Sequence, residues 1–115
     1  MKTEFVVDKN ILTICHKQII FQYFIADTLN IGNLFIVRID PPPGVIFNKN
    51  IYGVSASGEI LWQIEVVNHD GYDDNPYVNM VQNGPASIAV YDWIGFEYSL
   101  NLENGTVSLV DFKRF

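Results

Sequence analysis

Short runs rich in Ile, Val, Phe and Tyr recur along the chain between Gly, Pro, Asn and Asp, and helical spacing of apolar residues is nearly absent. A helix needs an apolar stripe every third or fourth residue, whereas a strand needs only alternation or a short continuous run. The chain therefore reads as an antiparallel all-β protein. Its strands are expected over Glu4–Val7, Gln18–Ile25, Asn33–Asp40, Ile51–Ala56, Glu59–Val66, Tyr77–Gln82, Ser87–Trp93, Phe96–Leu102 and Thr106–Phe112. Lys9–His16 stays open between a strand and a short helical turn. With 115 residues, 49% of them hydrophobic and 17% charged, residues 1–115 suffice for one domain with a core that needs neither disulfide nor metal.

The interruptions have physical causes. In "DPPPGV", starting at Asp40, three prolines fix φ and remove three amide donors, so a ladder cannot run through them and the segment is a stiff, exposed corner. "NHDGYDDNPY" from Asn68 and "QNGPAS" from Gln82 carry turn-forming residues, with Asn75 and Gly84 held extended by the proline that follows. Both read as surface loops.

Two hairpins can be read by parity. Across Ile51–Val66, a three-residue loop with Gly58 left-handed sets Val54 opposite Ile60 and Tyr52 opposite Trp62. That register gives one apolar face of Tyr52, Val54, Ile60, Trp62, Ile64 and Val66, and makes Trp62 a core residue. Ser55, Glu59, Gln63 and Glu65 turn to water. In the second hairpin, a two-residue turn at Asn104-Gly105 sets Leu102 against Val107 and Leu100 against Leu109, beside Phe96 and Tyr98.

The segments "NIYGVSASGEILWQI" and "IGFEYSLNLENGTV" resemble blade segments of quinoprotein-type β-propellers. Together with "LFIVRIDPPPG" and "DNPYVNM" they are similar to a family of small, stand-alone bacterial proteins without an established activity. The resemblance covers the chain from about Ile31 onward and implies two four-stranded, blade-like units. It brings no quinone cofactor, because such a site needs many blades around an axis and this chain has room for about two. Two such units can instead bury their apolar faces against each other. The expected architecture is a two-sheet sandwich or distorted barrel of about eight to nine strands. The near-continuous runs "LFIVRI" and "IIFQYFI" suit strands covered on both faces, or a strand under a homodimer contact.

The formal net charge of −6 argues against a nucleic-acid surface, which needs clustered Lys and Arg; it fits a basic protein partner but equally serves plain solubility, the preferred reading of the charge alone. The beginning "MKTEFVVDKN" carries neither a signal peptide nor a membrane span. A single cysteine excludes an internal disulfide. These features make a cytoplasmic location the expectation.

Candidate chemistry is sparse. Cys15 and His16 are adjacent, so on a strand their side chains would point apart rather than form a dyad. His16 and His69 lack the ligand spacing of a zinc site. Asp70, Asp73, Asp74 and Asn75 could offer oxygens to a hard cation, but without the spacing of a calcium loop. The same loop is better suited to touch another protein, through Asp70, Tyr72, Asp73, Asp74 and Tyr77. Trp93 either caps the core or projects from its rim, capping being preferred. No phosphate loop, nucleophile elbow or dinucleotide fingerprint occurs.

The first expectation is thus a non-enzymatic interaction domain without cofactor or metal, for example an immunity-type protein neutralising a basic toxin. The second is a small-molecule binder or enzyme with a pocket between the sheets, lined by Tyr52, Trp62, Tyr91, Trp93 and Tyr98. The third is a self-associating structural subunit.

Overall fold

The computed structural model describes residues 4–67 and 74–112, and every regular element among them is a strand. In chain order these are β1 (Phe5–Asp8), β2 (Ile11–Ile14), β3 (Lys17–Ile20), β4 (Phe24–Ile31), β5 (Leu34–Asp40), β6 (Ile51–Ser55), β7 (Ile60–Gln63), β8 (Tyr77–Gly84), β9 (Ser87–Asp92), β10 (Phe96–Leu100) and β11 (Val107–Phe112). They form three antiparallel sheets in the orders β1-β2-β3, β4-β5-β6-β7 and β11-β10-β9-β8. None closes into a barrel. Among the described residues no helix is long and apolar enough to cross a membrane.

The expected antiparallel all-β chain is what forms, with a third sheet in addition to the two four-stranded units. The extra sheet comes from residues that lack a glycine signal. Cys15 (φ 52°) and His16 (φ 63°) both take left-handed backbone and make a two-residue turn between β2 and β3, while Lys9 (φ 56°) turns β1 into β2. "ILTICH" is therefore strand followed by turn. The expected strand Gln18–Ile25 is broken at Phe21–Tyr23, giving β3 and the start of β4.

β5 explains the layering. Phe35, Val37 and Ile39 pack with Val54 against Leu12, Ile14 and Phe21 of the three-stranded side. Ile36, from the other parity, joins Ile51, Trp62 and Ile64 against Tyr77, Met80, Ile88, Val90, Tyr98 and Leu100. The β4–β7 sheet is thus the middle of three layers, and "LFIVRI" is apolar at all positions but one because both its faces are covered. Arg38 interrupts the run. It is buried, but its guanidinium is matched by Asp27 (Nε–Oδ2 2.8 Å) and Asp40 (Nη1–Oδ1 2.7 Å).

Both hairpin registers need correction. Gly58 is left-handed (φ 86°) and Val54 faces Ile60, as expected, but a bulge then sets Gly53 opposite Trp62 and Tyr52 opposite Gln63. The bulge moves Trp62 onto the face of Ile51 and leaves Tyr52 and Val54 on the other. The physical reason is the floor beneath the indole. A Cβ on Gly53 would collide with the Trp62 ring, and one on Gly105 would come within 2.6 Å of it. Trp62 Nε1–H donates to the carbonyl of Leu102 (2.9 Å), so this one side chain ties the middle sheet to the β10–β11 connection. In that connection Asn101 N–H bonds the carbonyl of Thr106 (2.8 Å), a longer loop than the expected two-residue turn, and Leu100 faces Val107 while Tyr98 faces Leu109.

Candidate apolar docking corner

Three hollows adjoin where β4, the Pro41–Asn50 connection, β8 and the end of β9 meet. One, about 330 Å³, is lined by Asp40, the three prolines, Gly44–Ile46, Pro76–Val78 and Trp93. A second, about 350 Å³, lies between Ile46, Asp74, Trp93 and Ile94. The third, about 640 Å³, sits across the proline ridge beside Gln22, Tyr23 and Phe24. Volumes of this order are those of ordinary ligand or anchor pockets.

Local chemistry shapes each wall. Pro42 to Val45 is a tight turn closed by Val45 N–H to the carbonyl of Pro42 (3.1 Å), with Gly44 at φ 88° where a side chain would be strained. Prolines 41–43 supply no amide donors, so the ridge is apolar and stiff. On β8 the pairing jumps from Tyr77↔Asp92 to Asn79↔Tyr91, leaving Val78 as a bulge residue that is exposed at the first hollow. On β4 a second bulge lies between Ile25 and Asp27, next to Phe24, which is 61% exposed. β4 and β8 are both edge strands, where bulges commonly re-aim side chains.

The tip that carries Trp93 is held from below. Asp92 is fully buried, and its Oδ1 accepts the amides of Gly95 (2.9 Å) and Phe96 (2.9 Å). Its Oδ2 accepts Asn75 Nδ2 (2.7 Å) and the hydroxyl of Tyr98 (2.7 Å). Asn75 Oδ1 takes the amide of Ile94 (3.3 Å), and Trp93 N–H bonds the carbonyl of Pro76 (2.8 Å). Four consecutive amides, 93 to 96, are thereby satisfied. Asn48 Oδ1 accepts the amide of Asn75 (2.9 Å), and Asn50 Nδ2 reaches the carbonyls of Ile39 (3.2 Å) and Tyr77 (2.7 Å), so the network spans both four-stranded sheets. Burial above all, then the hydrogen bond to Asp92 and the Asp92 charge, pushes the Tyr98 phenol well above its usual pKa. For Tyr77, burial again leads, followed by the charges of Asp92 and Glu65.

The aromatic set proposed from sequence as an inter-sheet pocket does not converge. Trp62 (7% exposed) and Tyr98 (1% exposed) fill the larger core, Tyr52 packs at the edge of the smaller one, and Tyr91 is half-buried on β9. Trp93 is 56% exposed: the preferred expectation that it caps the core is overturned, because the backbone of its turn is fixed by Asp92 and Asn75 with the indole outward. Of the loop residues expected to touch a partner, Asp70, Tyr72 and Asp73 lie outside the described residues, as does His69. Asp74 is exposed at the second hollow. Tyr77 is buried in the larger core cluster, its hydroxyl donating to the carbonyl of Glu65 (2.8 Å), and it also borders the first hollow.

Sequence reasoning missed the buried polar set of Asn50, Asn75 and Asp92, with the part-buried Asn48 beside it. A signal for part of it was present: Asp92 stands three residues before Gly95, the arrangement in which a carboxylate caps a turn's amides. Among the described residues no three or more His, Cys, Asp or Glu side chains come together as metal ligands.

The profile of a family described as Domain of unknown function (DUF7957) matches residues 2–112. No curated protein and no solved structure matches the chain significantly.

Proposed function

The chain belongs to that family of unknown function, so kinship assigns it no activity, and we propose from its own surface that it is a non-enzymatic protein-interaction domain docking through the Trp93 corner. The observation that carries this reading is an indole left 56% exposed on a turn whose backbone amides are all held by the core. Exposed apolar area gathered in one place marks interaction sites, and tryptophan is among the residue types enriched at binding hot spots. The held backbone matters because an anchor whose main chain is already ordered before binding loses less entropy on docking. Val45, Ile46, Val78 and the proline ridge surround it with further exposed apolar surface. The net charge of −6 suits a basic partner, and an immunity-type inhibitor of a basic toxin is the concrete form of this reading.

The test compares wild-type chain and Trp93→Ala as baits in extracts of the native host, read by quantitative mass spectrometry. Trp93→Ala keeps its fold by circular dichroism, since the side chain it removes is outside the core. A protein retained by the wild type should bind the variant at least ~30-fold more weakly, the loss of about 2 kcal/mol expected for a hot-spot residue. Equal retention of every captured protein refutes the assignment of the corner.

A further inference from the structure

The hollow between Trp93 and Asp74 is more selective than the apolar surface around it. Among the described residues its lining is Ile46, Ile94, Trp93 and Asp74: two aliphatic residues with one indole-bearing and one carboxylate-bearing residue. A purely apolar occupant would cover the carboxylate without giving it a partner, which costs desolvation. An acidic occupant would be repelled. A guanidinium suits both polar features of the described lining, because a planar cation stacks on an indole and donates paired hydrogen bonds to a carboxylate.

Two carboxylates among the described residues of the corner, Asp40 and Asp74, differ in availability. Asp40 is already bonded to Arg38 Nη1 at 2.7 Å, whereas Asp74 has no ion-pair partner among the described residues. Among the described residues no Lys or Arg lines any of the three hollows. On the premise that this corner is the docking face, we infer that the hollow receives an arginine side chain of a basic protein partner, stacked on Trp93 and paired with Asp74. Charge complementarity selects that occupant over a second copy of this chain, whose own surplus is acidic.

The test uses N-acetyl-arginine N-methylamide as probe, with the citrulline analogue as its uncharged isostere, titrated into the full-length ¹⁵N-labelled chain. The arginine probe should shift the Trp93 indole N–H and the Ile94 amide saturably, with a Kd of about 1–10 mM for one such side chain in isolation. The citrulline probe should bind at least ~10-fold more weakly, and Asp74→Asn should weaken the arginine probe by a similar factor. Equal binding of the two probes overturns the inference, as does an unmoved Trp93 signal at about 50 mM arginine probe.

The premise fails separately. A protein partner that needs Trp93 but binds Asp74→Asn normally overturns the arginine assignment and leaves the docking face standing. Arginine binding with no Trp93-dependent protein removes the partner instead. A dimer seen by light scattering in the wild type and lost in Trp93→Ala overturns the basic partner in favour of a second copy.

Discussion

Replacing Asp92 with Asn tests whether the buried carboxylate organises the Trp93 tip. The exchange keeps size and shape but turns one acceptor oxygen into a donor. If the new NH₂ lies at the Oδ1 position, it meets the amides of Gly95 and Phe96, and two backbone donors are left unpaired. If it lies at the Oδ2 position, the Asn75 amide and the Tyr98 hydroxyl proton both lose that acceptor, but the hydroxyl can rotate to accept from the new NH₂, whereas the two backbone amides are fixed. The second arrangement is therefore adopted. Its cost is two donors that lose a buried acceptor, about 1–3 kcal/mol each, plus weakening of the retained backbone bonds, each about 1 kcal/mol poorer once the acceptor is neutral. Relief of the buried charge offsets part of this, leaving a net loss of about 2–4 kcal/mol.

Urea unfolding with a constant slope reads that loss directly, and for a chain of this size it lowers Tm by roughly 6–20 °C. Hydrogen exchange should quicken first at Gly95 and Phe96, the amides that Asp92 holds. Tyr98→Phe, which removes only the hydroxyl donor, should cost less, about 1.5–3 kcal/mol. A variant Asp92→Asn within about 0.5 kcal/mol of wild type, the range of an ordinary surface substitution, refutes the reasoning.

Gly53→Ala places a methyl inside the Trp62 ring, so it should destabilise by about 1–3 kcal/mol and expose the buried indole to solvent, seen as a red shift in a Trp93→Phe background. In the same background acrylamide should quench the remaining emission poorly, because Trp62 is only 7% exposed, whereas wild type should show a second, accessible component from Trp93. Tyr77 and Tyr98 both have phenol pKa values raised above the ordinary 10.0. The unfolded chain therefore releases these protons near pH 10 while the folded chain keeps them, and stability present below that pH is lost as pH rises toward the folded values. Each phenol contributes a slope of about 1.4 kcal/mol per pH unit above pH ~10, and Tyr98→Phe should roughly halve the combined fall measured by urea unfolding.

Strand content and turn chemistry were legible because they are local. Gly58 supplied the left-handed residue of its loop, and Val54 met Ile60 as parity required. The error began one residue later, at Leu61, because strict alternation treats Gly53 as a neutral position when it is the floor that admits the Trp62 ring. The third sheet was hidden for a similar reason: Lys9, Cys15 and His16 adopt positive φ without the glycine or asparagine that would announce it. The orientation of Trp93 was not legible at all, since Asn75, the residue that bonds both Asp92 and the Ile94 amide, lies 17 and 19 positions from those partners in sequence.

A tip that merely closed the core could turn its tryptophan inward and dispense with the buried polar groups. Here β9 runs through Ile88 and Val90 in the core and ends on Asp92, so the turn beyond it inherits the rigidity of a central strand while its indole faces water. If the network's contribution to binding is to hold that indole in place, its effect must act through Trp93. In the wild-type background, Asp92→Asn should then weaken the partner by about 0.5–1.5 kcal/mol, the cost of ordering one large side chain on docking, at a temperature where the variant is still folded. In the Trp93→Ala background the same substitution should leave the partner's Kd unchanged, so that the cycle closes with a coupling energy equal to the whole Asp92→Asn effect. Additive losses would mean that Asp92 shapes the corner by some route other than the indole, and the role assigned here to the buried network would be wrong.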